Sequence, residues 1–267
     1  MAAMVDIRAT VALAWLARGD GQPICDLATP GDTVTAGSEV CQLWYGLSVR
    51  IPLVICGTGG HARVVADIVR VGSDYDLVGF LDDVYPERHG QRFCDATVLG
   101  GREQMGNLMA QGIRHVILAF GDNASRRRIG AELVATGFIL GHAVHARATV
   151  AADVRIGGGT VVMAGAVLNP NATLGESVIV NTCASVDHDC VLGNAVHLSP
   201  GAHLAGAVRL GDESWIGLGA VVLEGRSVGA RTTVGAGAVV THDLPADVVA
   251  YGVPAKVIRG RDVTDLG

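Results

Sequence analysis

Two His-Asp dipeptides offer the side chains best suited to acid–base chemistry. They are His188-Asp189 and His242-Asp243, and 54 residues separate them. Histidine changes its protonation state near neutral pH, so it can take a proton from an attacking nucleophile and return it to a leaving group. A neighbouring carboxylate can orient the imidazole ring and favour its protonated form. The two dipeptides are chemically alike, so the elements that position them must decide between them.

A six-residue repeat contains the first dipeptide and runs up to the second. Every sixth residue from Val144 to Val240 is Leu, Ile or Val, at all 17 positions. Pairs of an aliphatic residue and Gly recur every 18 residues, at 156–157, 174–175, 192–193, 210–211 and 228–229. Neither a helical period nor a strand alternation gives this spacing, whereas three short strands per coil do. We therefore predict a parallel β-helix over residues 143–243, with glycines supplying backbone angles needed at its corners.

The 18-residue coil ranks the two histidines. They lie three coils apart at equivalent corners, and Gly206 lies one coil above His188. Because glycine has no side chain, Gly206 leaves room for a reacting group and exposes a backbone N–H, which makes it a candidate contact for an oxyanion or a thioester. We favour His188 because it lies in the central coils, whereas His242 lies near the end of the column.

A small α/β unit is predicted in front of the β-helix, over residues 51–142. Three apolar strands each end in a polar or Gly-rich loop, and they lie at residues 53–56, 77–81 and 115–120. Alternating strands and helices predict a parallel, Rossmann-like sheet whose ligands bind at the carboxyl ends of the strands. The loop at 57–62 also fits a loose dinucleotide fingerprint, with Asp82 about twenty residues further on, and this keeps an NAD site open as an alternative.

Motifs in both parts of the chain resemble one enzyme family. They are Gly-Thr-Gly-Gly-His, Phe-Leu-Asp-Asp and Gly-Asp-Asn after the three strands, the segment 181–189, and Gly-Val-Pro-Ala-Lys in the tail at 244–267. Together they are similar to the nucleotide-sugar N-acetyltransferases and sialic acid O-acetyltransferases, which are hexapeptide-repeat acyltransferases. The resemblance covers about residues 52–260.

This resemblance carries expectations about fold and activity. It implies a left-handed β-helix, which has the shape of a triangular prism, and a homotrimer with active sites between neighbouring prisms. It also implies acetyl transfer from acetyl-CoA to the amino group of a nucleotide-linked sugar, with a 4-amino-4,6-dideoxy sugar favoured. Two alternatives stay open: O-acetylation of a sugar of the sialic acid type, and a β-helix binding or scaffold module without catalysis.

The resemblance also implies roles for individual residues. His188 is expected to act as general base in a direct attack, with Asp189 orienting its ring. The implied acceptor contacts are the sugar or phosphate for Gly59, Gly60 and His61, the base or ribose for Asp82 and Asp83, and closure of the pocket for Gly121. The implied acetyl-CoA contacts are His197, Gly217, Leu218, Gly235, Ala236 and Lys256, to which Gly206 is added. His197 has a second interpretation, as a ring packed under Trp215 one coil above.

Composition narrows the class of protein further. The net charge of −6 gives nucleic acid no general reason to bind, and no apolar run approaches the length of a membrane span. The six cysteines show no CxxC pair, which predicts reduced thiols in a cytoplasmic protein and no structural metal. Residues 1–50 vaguely resemble half of a biotinyl/lipoyl-type β domain. Because the only Lys of the chain is Lys256, a swinging-arm role is excluded, and we expect a strand-rich appendage of unknown role.

Overall fold

A computed structural model describes residues 50–72 and 74–262. The predicted appendage at 1–50 falls almost wholly outside these residues, as do Cys25 and Cys41. Within the described part, the chain forms an α/β unit followed by a column of very short strands.

The α/β unit is built on a six-stranded sheet. Its strands are β1 (Ile51–Cys56), β2 (Tyr75–Leu81), β3 (Arg92–Phe93), β4 (Ala96–Gly100), β5 (His115–Leu118) and β6 (Ile139–Leu140). Its helices are α1 (Gly60–Gly72), α2 (Met105–Ala110) and α3 (Asn123–Ala135), and short 3-10 turns lie at Pro86–Arg88 and Arg102–Gln104. The strand order is β3-β4-β2-β1-β5-β6, and all pairs are parallel except β3 with β4.

Apolar strands explain why this sheet forms. The last four residues of β1 are buried, and so are the apolar residues of β5, because helices cover both faces. One cluster of buried residues joins β1 to α1, and another joins the opposite face to α2 and α3. The loops after β1, β2 and β5 therefore meet at the carboxyl edge of the sheet, as the sequence predicts.

Seventeen two-residue strands make up the column, and each ends on an aliphatic position of the six-residue repeat. They are β7 to β23: Ala143–Val144, Thr149–Val150, Arg155–Ile156, Val161–Val162, Val167–Leu168, Thr173–Leu174, Ile179–Val180, Ser185–Val186, Val191–Leu192, His197–Leu198, His203–Leu204, Arg209–Leu210, Trp215–Ile216, Val221–Val222, Ser227–Val228, Thr233–Val234 and Val239–Val240. Strands β24 (Val248–Tyr251) and β25 (Lys256–Gly260) follow.

These strands form three parallel sheets, one for each side of a prism. Each strand pairs with the strand 18 residues away, so Val186 lies between Leu168 and Leu204. Strand β24 extends one of the sheets in parallel, and β25 turns back antiparallel to it. The repeating aliphatic side chains fill the interior and form one continuous buried cluster, which holds the coils together.

The glycines of the column have two roles. The predicted one, a backbone angle needed at a corner, is found where φ lies between +62° and +74°, at Gly159, Gly165, Gly201, Gly219, Gly225 and Gly237. The glycines that follow the aliphatic residue do not adopt positive φ, and they are Gly157, Gly175, Gly193, Gly211 and Gly229. A Cβ on Gly193, for example, would lie 2.7 Å from the backbone nitrogen of Asp212 in the next coil. The positions need glycine because successive coils approach closely there.

The α/β unit and the β-helix share a core. Ala143, Val161, Met163 and Ile179, on one side of the prism, are buried in the same cluster as the apolar residues of α1. The acceptor loops predicted from the sequence are therefore held in a fixed position relative to the coils.

Among residues 50–72 and 74–262, no helix has both the length and the apolar character that crossing a membrane requires. Within the same residues, no group of three or more His, Cys, Asp or Glu side chains is placed to hold a metal ion.

Candidate active site

The corner after β14 presents the predicted catalytic pair. The His188 Nδ1 atom lies 2.8 Å from Oδ2 of Asp189. Asp189 adopts φ +60°, a left-handed conformation that Asp tolerates, and its other carboxylate oxygen accepts a hydrogen bond from Asn171 at 3.2 Å. Because a carboxylate can only accept, Nδ1 carries the proton, and the lone pair of the neutral ring lies on Nε2.

The electrostatic environment favours a proton on His188. The hydrogen bond that His188 donates to Asp189 raises the pKa of the imidazole above its ordinary value, and the charges of Asp187, Asp189 and Glu224 add to this effect. The same hydrogen bond lowers the pKa of Asp189, with a contribution from Asn171. The backbone N–H of His188 donates to Asp187 at 2.8 Å, which fixes the corner beneath the ring. The ring is therefore held by its Nδ1 side, which leaves Nε2 as the nitrogen available to act as a base.

Gly206 makes room for this ring. A Cβ on Gly206 would lie 2.6 Å from Cε1 and 2.7 Å from Nε2 of His188, so the ring occupies the space that any other residue would fill. No acceptor among the described residues takes the Gly206 N–H, and Gly206 is itself buried. The sequence places Gly206 over His188, and the structure adds that the two are in contact.

A methyl group at this position tests the contact. We expect Gly206→Ala to lower kcat by roughly tenfold to a hundredfold, because the added Cβ displaces the His188 ring from its position beside the reacting atoms. Gly106→Ala is the matched control, since its Cβ meets nothing within 4 Å. Steady-state kinetics and circular dichroism measure activity and fold, and an unchanged kcat in a folded Gly206→Ala protein contradicts the assignment.

The second His-Asp dipeptide is arranged differently. The His242 Nδ1 atom lies 2.8 Å from the hydroxyl of Thr241, not from a carboxylate. Asp243 instead accepts the backbone N–H of Ser227 at 2.9 Å. His242 thus lacks the carboxylate partner of His188, and the structure separates two dipeptides that the sequence alone left chemically equivalent.

His197 lies against an aromatic ring. It stacks on Trp215 with centroids 5.7 Å apart and planes 2° from parallel, and its Nε2 lies 3.4 Å from Asn181. Burial, with the charges of Arg126 and His61, lowers the pKa of His197 to about 3. The imidazole is therefore neutral at physiological pH and can serve only as an uncharged hydrogen-bonding group. The predicted contact with acetyl-CoA stays a prediction, and the packing under Trp215 is observed.

The Gly-rich loop after β1 is open. A Cβ on Gly59 or Gly60 would meet nothing within 4 Å, so a ligand can approach this backbone closely. Gly57, by contrast, needs glycine because it adopts φ +112° and faces the carbonyl of Ala119. The Nε2 atom of His61 is buried without a hydrogen-bond partner among the described residues, and burial, followed by the charge of Arg126, lowers its pKa to about 4.

The two aspartates after β2 are engaged with the protein. The buried carboxylate of Asp82 accepts from the Thr58 hydroxyl and from the backbone N–H groups of Val84 and Tyr85 at 2.8 and 2.9 Å. Burial acts to raise the pKa of Asp82, but these hydrogen bonds outweigh it and the pKa is lowered. Asp82 thus holds the loops after β1 and β2 together.

Asp83 lies on the other side of the loop, in an ion pair with Arg102. It also accepts the Arg102 backbone N–H at 2.7 Å. A contact of either aspartate with a base or ribose stays a prediction, and such a contact has to share the carboxylate with these partners.

Arg126 is the residue that sequence reasoning missed. It is buried in α3 and donates to the carbonyls of Phe120, Gly121, Ser177 and Ala195 at 3.2, 2.7, 3.1 and 3.0 Å. The first two carbonyls belong to the loop after β5 and the other two to coils of the β-helix. Gly121, which the sequence suggests as a pocket-closing residue, is tied here through its carbonyl. Arg126 lies three, four and seven residues before positions 129, 130 and 133, so it shares the buried face of the helix with them. This spacing was the sequence signal that could have identified it.

The remaining predicted acetyl-CoA residues lie in the coils and the tail nearest the C-terminus. Gly217 and Gly235 stack one coil apart, and a Cβ on Gly217 would lie 2.6 Å from the carbonyl oxygen of Val234. Leu218 and Ala236 follow them and are exposed, as is Lys256 at the start of β25. These surfaces are accessible, and their contact with a cofactor remains a prediction.

A parallel β-helix with an exposed His-Asp pair, joined to an α/β unit with an open Gly-rich loop, is the arrangement of a hexapeptide-repeat acyltransferase. The family model of the PglD N-terminal domain matches residues 52–133. The chain is 40% identical to the GDP-perosamine N-acetyltransferase of Caulobacter crescentus, with 78% of this chain and 97% of that chain covered and a TM-score of 0.74. It is also 40% identical to the acetyltransferase domain of PglB from Neisseria gonorrhoeae, with 78% and 100% covered and a TM-score of 0.73. Among curated proteins, none matches.

The chain therefore belongs to the nucleotide-sugar N-acetyltransferase family, and it is an acetyltransferase. The predicted fold class, a Rossmann-like α/β unit followed by a left-handed β-helix, is confirmed. The structures of the two similar proteins are complexes, with CoA and GDP-perosamine for the Caulobacter enzyme and with acetyl-CoA for the Neisseria domain.

Proposed function

We propose that the enzyme transfers the acetyl group of acetyl-CoA to the amine of a nucleotide-linked amino sugar, with a 4-amino-4,6-dideoxy sugar as the favoured acceptor. The observation that carries the proposal is the His188 ring, hydrogen-bonded to Asp189 and lying against Gly206. The relatives support the substrates, since the Caulobacter enzyme is solved with GDP-perosamine and the Neisseria domain with acetyl-CoA.

The proposed reaction is a direct attack. The amine nitrogen forms a bond to the thioester carbonyl carbon, and Nε2 of His188 takes the proton that the nitrogen gives up. The Gly206 N–H, which has no acceptor among the described residues, donates to the oxygen that becomes negative. When the carbon–sulfur bond breaks, the imidazolium returns the proton to the sulfur, and the products are an amide and free CoA. Asp189 stabilises the imidazolium between these two steps.

The acceptor is proposed to lie along the carboxyl edge of the sheet. The open backbone of Gly59 and Gly60 lies at the N-terminal end of α1, where N–H groups and the helix dipole favour a phosphate. His61 lies in the first turn of the same helix, and its Nε2 has no partner among the residues that the structure describes, while Asp82 and Asp83 lie on the adjacent loop. For the cofactor, the exposed Lys256 is suited to a phosphate of acetyl-CoA.

We further propose a homotrimer. The side chains of His188 and Asp189 are 55% and 54% exposed on a single prism, so a second prism is needed to form a cleft that excludes water from them. Analytical ultracentrifugation is expected to give three times the chain mass of 27.4 kDa. Cys56, Cys94, Cys183 and Cys190 are free thiols, which fits the proposed cytoplasmic location.

Thiol release tests the activity. Acetyl-CoA is supplied with UDP-, GDP- and dTDP-linked amino sugars and with sialic acid, and free CoA is followed with a thiol reagent. We expect turnover with at least one nucleotide-linked amino sugar and faster turnover than with sialic acid. Turnover with sialic acid alone indicates the O-acetyltransferase alternative, and release with none of the acceptors indicates a binding or scaffold module.

The pH dependence follows from the raised pKa of His188. A general base is active when deprotonated, so kcat/KM is expected to rise with pH through a midpoint above the ordinary histidine value of about 6.5. Asp189→Asn removes the largest cause of the raised pKa, and we expect its midpoint to move to lower pH while kcat falls. Asp243→Asn, in the other dipeptide, is the control and should keep the original midpoint. Identical midpoints in all three proteins would exclude His188 as the titrating base.

A further inference from the structure

The catalytic corner belongs to a column of side chains that continues upward. Residues 188, 206, 224 and 242 follow one another at the 18-residue interval of the coil. The N–H of Gly225 donates to the carbonyl of Gly206 at 2.9 Å, and His203 pairs with Val221 in the adjoining sheet. The corner that carries Glu224 therefore lies directly above Gly206.

Glu224 is the next side chain above the His188 ring. The ring occupies the place of the missing Gly206 side chain, so a single coil spacing of about 4.8 Å separates it from the level of Glu224. Glu224 is exposed, and its carboxylate makes no ion pair or hydrogen bond to another described residue. Arg226 is directed elsewhere, with Nε on the backbone carbonyl of Glu224 and Nη1 3.9 Å from Asp243. A carboxylate that is free among the described residues thus lies one coil from the ring that acts as base, close enough for its charge to raise the pKa of His188.

We propose that Glu224 binds the acceptor's amino group in its ammonium form and makes the site selective for amines over hydroxyls. This inference rests on the proposed function. A primary amine is largely protonated near neutral pH and carries a positive charge that a carboxylate attracts, whereas a hydroxyl carries none.

The proton balance of the reaction suits this arrangement. An ammonium must lose two protons to become an amide, and an alcohol must lose only one to become an ester. The first proton leaves the ammonium for water before the acceptor is enclosed in the cleft, and an N–H of the resulting amine stays on Glu224. The lone pair is then directed to the thioester carbon, and the second proton passes to Nε2 of His188.

Glu224→Gln separates amine recognition from a general effect on His188. Calorimetry compares binding of a nucleotide-linked amino sugar with the same nucleotide sugar carrying a hydroxyl in place of the amine. We expect the variant to bind the amine about fivefold to tenfold more weakly and the hydroxyl compound unchanged, with the same KM for acetyl-CoA. Glu176→Gln removes an equally exposed carboxylate at another corner and should change neither affinity.

Two outcomes overturn the inference: unchanged affinity for the amine in Glu224→Gln, or an equal loss for both compounds. Because calorimetry requires no turnover, this result is independent of the proposed activity. The proposed function fails separately, if wild-type protein releases no CoA with any nucleotide-linked amino sugar.

Discussion

Replacing His188 by alanine is expected to lower kcat by a factor of roughly 10²–10⁴, the usual contribution of a positioned general base. The variant removes both the Nε2 acceptor and the imidazolium that Asp189 stabilises. Because the side chain is exposed and outside the buried core of the coils, we expect the melting temperature to change little. The KM for acetyl-CoA should also stay near its original value, since the cofactor residues proposed above lie on other coils. Steady-state kinetics with a saturating acceptor measure the effect.

His242→Ala is the matched control. It removes a histidine from the equivalent corner three coils away, where the ring is paired with Thr241. We expect its kcat to match that of the wild-type enzyme. Equal losses in the two variants, or full activity in His188→Ala, would show that the exposed His188-Asp189 pair is not the acid–base centre.

The second large effect is expected on stability, from Arg126→Met. The guanidinium donates to four backbone carbonyls and to Asn123, and the change removes the donor from three buried and two partly buried hydrogen bonds. Each such loss costs on the order of 1 kcal/mol or more, so we expect a decrease of about 3 kcal/mol in the free energy of unfolding. Burial lowers the pKa of Arg126 to about 10, so the group is still charged at pH 7 and the variant also removes this buried charge.

Arg128→Met is the control for this measurement, because Arg128 lies two residues away in α3 and its one side-chain partner within the described part of the chain is the exposed Glu132. We expect it to cost less than about 0.5 kcal/mol. Denaturant unfolding of the two variants measures the difference. Equal stabilities would mean that Arg126 does not connect the loop after β5 to the coils. We also expect Arg126→Met to raise the KM for the acceptor, since the acceptor loops lose their support.

The coil could be predicted from the sequence almost completely. A six-residue aliphatic period predicts three short strands per coil with these side chains directed inward, and all 17 positions occupy the last residue of a strand. The left hand of the helix was implied by the family resemblance and not by the period. The stacking of Gly206 over His188 follows from the 18-residue length of one coil. The sequence does not show why a particular position of the repeat is glycine. Close approach between coils and a positive φ both require glycine, and only the three-dimensional structure tells which of the two applies.

The candidate site was predictable where it depends on residue position and unpredictable where it depends on side-chain partners. The sequence places Asp82 at a strand end, but not the Thr58 hydroxyl and the two N–H groups that engage its carboxylate. Three consecutive arginines begin at Arg126, and helical spacing could have placed the first on the buried face, but its carbonyl partners in the coils depend on long-range packing. The side-chain rotamer of His242 likewise decides that its ring pairs with Thr241 and not with Asp243, and the His-Asp dipeptide alone does not determine that rotamer.

The most direct test of the account follows the acetyl carbon itself. Wild-type enzyme is incubated with acetyl-CoA labelled with ¹³C at the carbonyl and with a GDP-linked 4-amino sugar labelled with ¹⁵N at the amine, and the products are observed by NMR. We predict an amide carbonyl signal split by the nitrogen, formed at a rate that His188→Ala reduces and His242→Ala does not. A label that appears in an ester, or that remains in the thioester or in free acetate, contradicts amine acetylation by this enzyme.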